Sequence, residues 1–337
     1  MARSDRRRVV VVTGASAGVG RATIRAFARE GAFVGLIARD TEGLHAAAAE
    51  ADQMGGRGFA AAADVADPEQ VESAAERIES ELGPIDVWVN NAMTTVFARV
   101  IDTTPAEFRR ATEVTYLGTV YGTMAALRRM LTRNAGRIIQ VGSALAYRSI
   151  PLQAAYCGAK HAIAGFTDSL RTELIHDRRD IHLTMVQLPA MNTPQFTWCR
   201  SKMPRHPQPV PPIFQPEVAA ERIVWASHHR RREIFVGAPT ILAIEANKLV
   251  PALADEYLGR TGFDSQQTQE AIPADRPDRP DNLFEPLPGD FGARGVFGRQ
   301  AHDAAATTWI ANHKSIGALA GAAALGVATY VLKRKVL

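Results

Sequence analysis

Residues 8–22 read RVVVVTGASAGVGRA, and the architecture follows from them. The valines form a short β-branched run closed by glycine, the pattern of a strand. Gly14, Gly18 and Gly20 come next with the spacing G-x-x-x-G-x-G. Behind them Ile24, Phe27 and Ala28 recur on one face of a helix that Gly31 ends. Glycines at such a junction let the backbone turn tightly and approach a pyrophosphate. The helix N-terminus adds unpaired N–H groups and the positive end of its dipole. The spacing is not that of the commoner G-x-G-x-x-G fingerprint, but it falls at the first strand–helix junction, where the mechanism requires it.

Outward from this loop the same alternation continues. Strand-like runs occur at 32–38, 58–65, 85–92, 136–143, 181–189 and 233–237, with helical patterns between them. One of these helices is well signalled by Asp67 as N-cap, Pro68 at its first position and Gly83 past its end. Another opens with the capping box T-P-A-E at 104–107. Strands alternating with helices predict an α/β fold, a doubly wound parallel sheet in three α/β/α layers of Rossmann type. The pattern predicts one dinucleotide-binding domain over 1–240 and a helical extension over 241–261, interrupted at Pro251. Residues 262–300, rich in Pro, Gly, Asp and Gln without an apolar period, read as a poorly ordered linker. An apolar helix with a basic end is expected over 301–337.

The bulk numbers exclude little. The 337 residues are 46% hydrophobic and 22% charged, with a net charge of +4, which is ordinary for a globular protein and gives no reason to expect nucleic acid. Two cysteines, Cys157 and Cys199, make neither a disulfide framework nor a metal motif. The histidines show no ligand spacing, so no metal is expected. The first residues lack the apolar segment of a signal peptide, and a cytoplasmic setting is the expectation.

Two further features bear on chemistry. At the end of the second strand-like run, GLIARD places Arg39 and then Asp40. An acidic residue there suits the ribose hydroxyls of NAD, an arginine the 2′-phosphate of NADP. Asp40 has a competing use as a helix N-cap, so NADP(H) is favoured over NAD(H). The stretch AAYCGAKHA, residues 154–162, puts Lys160 one helical turn from Tyr156. A phenol titrates near about 10, and an adjacent ammonium lowers that value by stabilising the anion.

Together with ADV (63–65), NNA (90–92), Ser143 and LPAMNTP (188–194), these motifs resemble the short-chain dehydrogenase/reductase family in its single-domain form, over residues 8 to about 240. The resemblance implies an oxidoreductase that moves hydride between a nicotinamide and a carbonyl or secondary alcohol. It makes Tyr156 the general acid/base and Lys160 the residue that lowers the tyrosine pKa and holds the nicotinamide ribose. Ser143 would donate to the substrate oxygen. It assigns dinucleotide contacts to Gly14, Ser16, Gly18, Val19, Gly20, Asp64, Val65, Asn90, Asn91, Ala92, Pro189 and Thr193, besides Arg39, Tyr156 and Lys160. Thr115 stands where the family usually has an asparagine of the proton relay, which puts that catalytic role in doubt; Met93 and Ala190 replace glycines.

The segment 194–216, with seven prolines and with Phe196, Trp198, Met203 and Phe214, reads as a lid over an apolar or bulky small-molecule substrate. Residues 315–332 carry no charge and precede Lys333, Arg334 and Lys335. As a helix they would span about 27 Å, so membrane association is one expectation and burial within this protein or in a homo-oligomer the other. The alternative to an enzyme is a catalytically weak NADP(H)-binding sensor or a membrane-docked scaffold.

Overall fold

The computed structural model describes residues 7–272 and 279–305 of the chain. Val9–Thr13 (β1) is buried along its whole length. Its alternate residues face opposite ways, Val10 and Val12 joining Ile24, Phe27, Val218 and Ile223 on one side of the sheet. Val9 and Val11 join Val71, Ile78, Trp88 and Met130 on the other. A strand buried on both faces reads as a continuous apolar run, as this one does.

Around β1 stand Phe33–Ala38 (β2), Arg57–Ala62 (β3), Val87–Asn90 (β4), Gly136–Ser143 (β5), Ile181–Leu188 (β6) and Glu233–Phe235 (β7). All pair in parallel, in the order β7-β6-β5-β4-β1-β2-β3. The chain winds away from β1 in one direction through β2 and β3, then returns to its other side at β4. A crevice opens at that reversal, beyond the strand ends.

The helices of two turns or more are Gly18–Arg29 (α1), Thr41–Gln53 (α2), Pro68–Leu82 (α3), Pro105–Thr112 (α4), Gly118–Arg133 (α5), Ala154–His176 (α6), Pro216–His228 (α7), Ala238–Leu249 (α8) and Pro251–Thr261 (α9). Local chemistry sets their starts. The Asp67 carboxylate accepts from the amides of Glu69 and Gln70, Pro68 fills the first position, and Thr104 and Glu107 close a reciprocal capping box. Asp40 caps α2 by accepting from the amides of Glu42 and Gly43.

Three parts differ from expectation. First, β3 and β4 stop short of the C-terminal ends of their apolar runs, because the residues there leave the ladder to build the crevice. The amides of Asn91 and Ala92 donate to the Thr13 hydroxyl at 3.0 and 3.1 Å. Second, much of 262–300 is packed rather than a loose linker. Gln267–Ala271 pairs antiparallel with Arg205–Pro207, and 281–297 lies against Trp198, Arg200 and the glycine loop. Third, Phe214 is core rather than lid: Ile213–Phe214 is the middle strand of a small sheet with Ala190–Met191 and Ala301–His302. Among the described residues no helix is long and apolar enough to cross a membrane; the run 315–332 lies outside them.

Candidate active site

The glycine loop is held by close approaches. Gly14 and Gly18 have φ of +65° and +59°, which side chains other than glycine's rarely adopt. A Cβ on Gly20 would lie 2.0 Å from the Gly14 carbonyl oxygen. The Asn91 amide donates to the carbonyls of Thr13 and Gly14 at 3.0 and 3.2 Å, clamping the loop to the end of β4. From behind, the guanidinium of Arg21, fully buried, donates to the carbonyls of Ser16 and Gly43 at 3.1 and 2.7 Å and pairs with Glu50 at 2.8 Å. The sequence reading missed Arg21 and Glu50. An arginine on the helix face that also carries Ile24 and Ala28 was the available signal.

Tyr156 and Lys160 start α6, and Ser143 ends β5; all three line one cleft of about 690 Å³ together with the glycine loop. The Ser143 hydroxyl accepts from the Leu145 amide at 3.1 Å, which leaves its own proton to donate. Burial pushes the Tyr156 phenol above its ordinary value, and the hydrogen bond from Ser143 opposes that only in part. Lys160 is itself lowered to about 8 by burial. Its ammonium donates to the Val141 carbonyl at 2.6 Å and stands 5.4 Å from the centre of the tyrosine ring. The expected depression of the tyrosine pKa is therefore not found: burial outweighs the hydrogen bond from Ser143, and the lysine ammonium is engaged by the ring and by a carbonyl.

Ser16, Val19, Arg39, Asp64, Val65, Asn91, Ala92, Pro189 and Thr193 line the same cleft. Asp64 pairs there with Arg110, a partner sequence reasoning did not find. Arg39 donates to the carbonyls of Asn282 and Phe284 at 2.5 and 2.7 Å. Asn90 is a correction. It is buried behind the cleft, where it accepts from the Trp88 indole at 2.8 Å and donates to Thr123 and Gln140 at 2.9 Å. The period of two along β4 puts Asn90 on the face of Trp88, away from the glycine loop.

Thr115 lies in a π-helical turn, Glu113–Leu117, between α4 and α5. Its hydroxyl accepts from the Thr94 amide at 3.1 Å and donates to the Thr94 carbonyl at 3.0 Å. It thus pins the segment that follows Met93, which lines the cleft. Thr115 touches Thr94, not Lys160, so the structure does not join it to the tyrosine–lysine pair.

The remainder of the cleft is mostly apolar. The segment 194–216 contributes Phe196, Trp198, Val210 and Pro211, and α8 and α9 contribute Leu242 and Tyr257. Phe196 meets Phe97 edge-on at 6.0 Å and Met203 packs beside them. Among the described residues no cluster of three or more metal-ligating side chains exists.

The family model for short chain dehydrogenase matches residues 8–203, and the chain belongs to that family. It is similar to the Uncharacterized oxidoreductase YxnA of Bacillus subtilis, 33% identical over 276 residues, 81% of this chain and 75% of that one. It is also similar to the 3-dehydrosphinganine reductase of Danio rerio, 31% identical over 223 residues, 64% of this chain and 67% of that one. Some longer relatives are matched over only 30% of their length. Among solved structures, an alcohol dehydrogenase from the archaeon Thermococcus sibiricus, complexed with 5-hydroxy-NADP, superposes with a TM-score of 0.57 at 27% identity. The match covers 68% of this chain and 95% of that one.

Proposed function

We propose that the protein is an NADP(H)-dependent oxidoreductase acting on a bulky, apolar carbonyl compound or the corresponding secondary alcohol. The observation that carries this reading is one cleft lined together by the glycine loop with Arg39, by Ser143, Tyr156 and Lys160, and by the apolar side chains of Phe196, Trp198, Val210 and Leu242. The residues fit a dinucleotide: helix-terminal amides and a glycine cradle suit a pyrophosphate, and the planar Arg39 guanidinium suits a phosphate ester. The neighbour complexed with 5-hydroxy-NADP and the relative named as a reductase agree with it.

When bound, the nicotinamide supplies or accepts hydride. The work of the chain is to hold and move a proton. In the carbonyl-reducing direction the Tyr156 hydroxyl donates its proton to the substrate oxygen while Ser143 donates a hydrogen bond to the same atom, a modest oxyanion contact. A raised phenol pKa keeps that proton in place at neutral pH. Lys160, its ammonium 5.4 Å from the centre of the tyrosine ring, is a buried positive charge beside the phenol that offsets part of the cost of a phenolate once the proton has gone. The apolar lid excludes water and gives grip on a substrate without charges.

The test is a titration with NADPH and NADH followed by turnover on apolar ketones, for the wild type and Tyr156→Phe. Expected are tighter NADPH binding and turnover that the substitution removes. NADPH binding without turnover, unchanged by Tyr156→Phe, would move the reading to a dinucleotide-binding sensor.

A further inference from the structure

Residues 281–297 have no regular secondary structure beyond single turns, yet they are tied down at both ends and in the middle. At the lid end, the Asn282 amide donates to the Trp198 carbonyl at 3.0 Å and Arg200 pairs with Asp281 at 2.8 Å. Leu283 is completely buried against Val96 and Ala98, and its carbonyl accepts from Arg110 at 3.1 Å. Arg39 donates to the carbonyls on either side of it, those of Asn282 and Phe284. At the loop end, Phe291 meets Trp198 edge-on at 4.6 Å and Asp290 lies 3.4 Å from Arg21. The Gly18 amide donates to the Gly292 carbonyl at 3.0 Å. Farther on, Asn192 receives hydrogen bonds from the amides of Gly295 and Phe297.

Between these ties Asn282, Pro286, Leu287 and Phe291 line the same cleft as Gly14, Ser16, Arg39 and Asp64. We propose that 281–297 is a strap forming the outer wall of the dinucleotide site, and that Arg39 couples it to a 2′-phosphate by holding both. This deepens the proposed function and rests on it.

The coupling follows from donor geometry. A guanidinium carries five N–H donors in a fixed plane, and the strap carbonyls take one from each terminal nitrogen. Donors remain for a phosphate in the same plane. A phosphate that fixes the plane of Arg39 also fixes the two donors on which the strap hangs, so each bound partner lowers the ordering cost of the other. Linkage makes this reciprocal: whatever the 2′-phosphate adds to strap closure, the closed strap adds to phosphate affinity. A dinucleotide lacking that phosphate has no such hold on Arg39. Exchange of the adenosine half then requires the strap to lift from Gly18 and Arg39.

The experiment uses the full chain. Hydrogen–deuterium exchange of peptides within 281–297 is followed alone, with saturating NADPH and with saturating NADH, and dinucleotide dissociation is measured for wild type and Leu283→Ala, which loosens the strap without touching Arg39. Expected is about tenfold slower exchange with NADPH, less with NADH, and NADPH dissociation faster by about the same factor in Leu283→Ala, within the ordinary range for linked sites. Exchange unmoved by an NADPH that binds overturns the strap and leaves the proposed function standing. Equal protection by both dinucleotides overturns the coupling through Arg39. If neither binds, the proposed function fails and the strap with it. Should Leu283→Ala not fold, the wild-type exchange decides.

Discussion

Lys160 lies one helical turn after Tyr156, yet its ammonium stands over the ring, 5.4 Å from its centre, and donates to the Val141 carbonyl at 2.6 Å. In the proposed reaction the pair acts as a proton donor with a buried cation against its ring. Burial lowers Lys160 from the ordinary 10.5 to about 8. Carbonyl reduction should be level from pH 6 to 7.5 and fall above about 8, as the lysine loses its charge. The raised Tyr156 keeps its proton throughout that range, so the limb belongs to the lysine. Turnover with NADPH at saturating ketone across pH 6–10 checks this; a profile flat to pH 10 refutes it.

The same shift has a stability consequence of opposite sign. A lysine whose folded pKa is depressed costs folding energy while it is charged. The cost is full below pH 8 and disappears as pH rises from 8 towards 10.5. Its size is about 3 kcal/mol, at about 1.36 kcal/mol per unit. Lys160→Met should therefore be inactive and, at pH 7, more stable than wild type by up to that amount, the usual opposition of function and stability. Urea unfolding of both proteins at pH 7 and pH 10 measures it, and the difference should shrink at the higher pH.

Thr115 holds the segment beside the cleft through both backbone groups of Thr94. Thr115→Val keeps the shape but strands a buried N–H and C=O, at about 1–3 kcal/mol each. The expected result is a loss of about 2–6 kcal/mol and a raised KM for the dinucleotide, because the displaced segment lines its proposed site. Thr115→Ser keeps the hydroxyl and should restore most of both. Since Thr115 does not touch Lys160, neither variant should move the alkaline limb; a shift in that limb would place the hydroxyl in the proton path.

Much of this site could be read from residue order. The glycine loop, the cap residues Asp67 and Thr104 and the Tyr156/Lys160 spacing are local, each set by neighbours within a turn or two, so local sequence carries them. The direction of Asn90 was readable but missed: strand alternation pairs it with Trp88, whereas motif membership says only that it is there. The strap was not readable. It is held by backbone carbonyls that any sequence possesses, meeting arginines more than 170 positions away, and a Pro/Gly-rich run of that kind resembles a linker until its partners are known. The lysine's placement over the ring was also hidden, because helical spacing fixes neighbourhood but not which atom a long side chain reaches.

The network behind β4 makes a prediction of non-additivity. Gly122 on α5 is packed so closely that a Cβ there would lie 2.2 Å from Asn90 Oδ1 and 2.9 Å from the Trp88 indole nitrogen. Gly122→Ala should cost several kcal/mol by forcing the Asn90 amide off its partners, as overpacking and a stranded polar group add. Asn90→Ala alone strands the Trp88 indole and also destabilises. The double variant should be less damaged than the sum, by about 1–3 kcal/mol, since one substitution removes the atom the other strikes. Denaturant unfolding of the four proteins gives the cycle, and strict additivity would mean that the helix shifts bodily instead.

Glu50 sets the acid limit of the glycine loop. Burial alone would raise its carboxyl, but hydrogen bonds from Arg25 and Arg21 outweigh that and hold it at about 2, against an ordinary 4.5. A depressed carboxylate contributes stability that is fully present above pH 4.5 and is lost as pH falls through 2. The full shift corresponds to about 3 kcal/mol, and since the side chain is 25% exposed, solvent screening brings this to about 1–2 kcal/mol. Arg21 ties Ser16 and Gly43 to the same carboxylate, so Glu50→Gln should loosen the loop, weaken NADPH binding and destabilise the protein at pH 6. Between pH 4.5 and 2 the wild type should lose that advantage until the two unfold alike, because a protonated Glu50 is then equivalent to the amide. A difference that persists undiminished at pH 2 would show that shape, not charge, is what Glu50 supplies to Arg21.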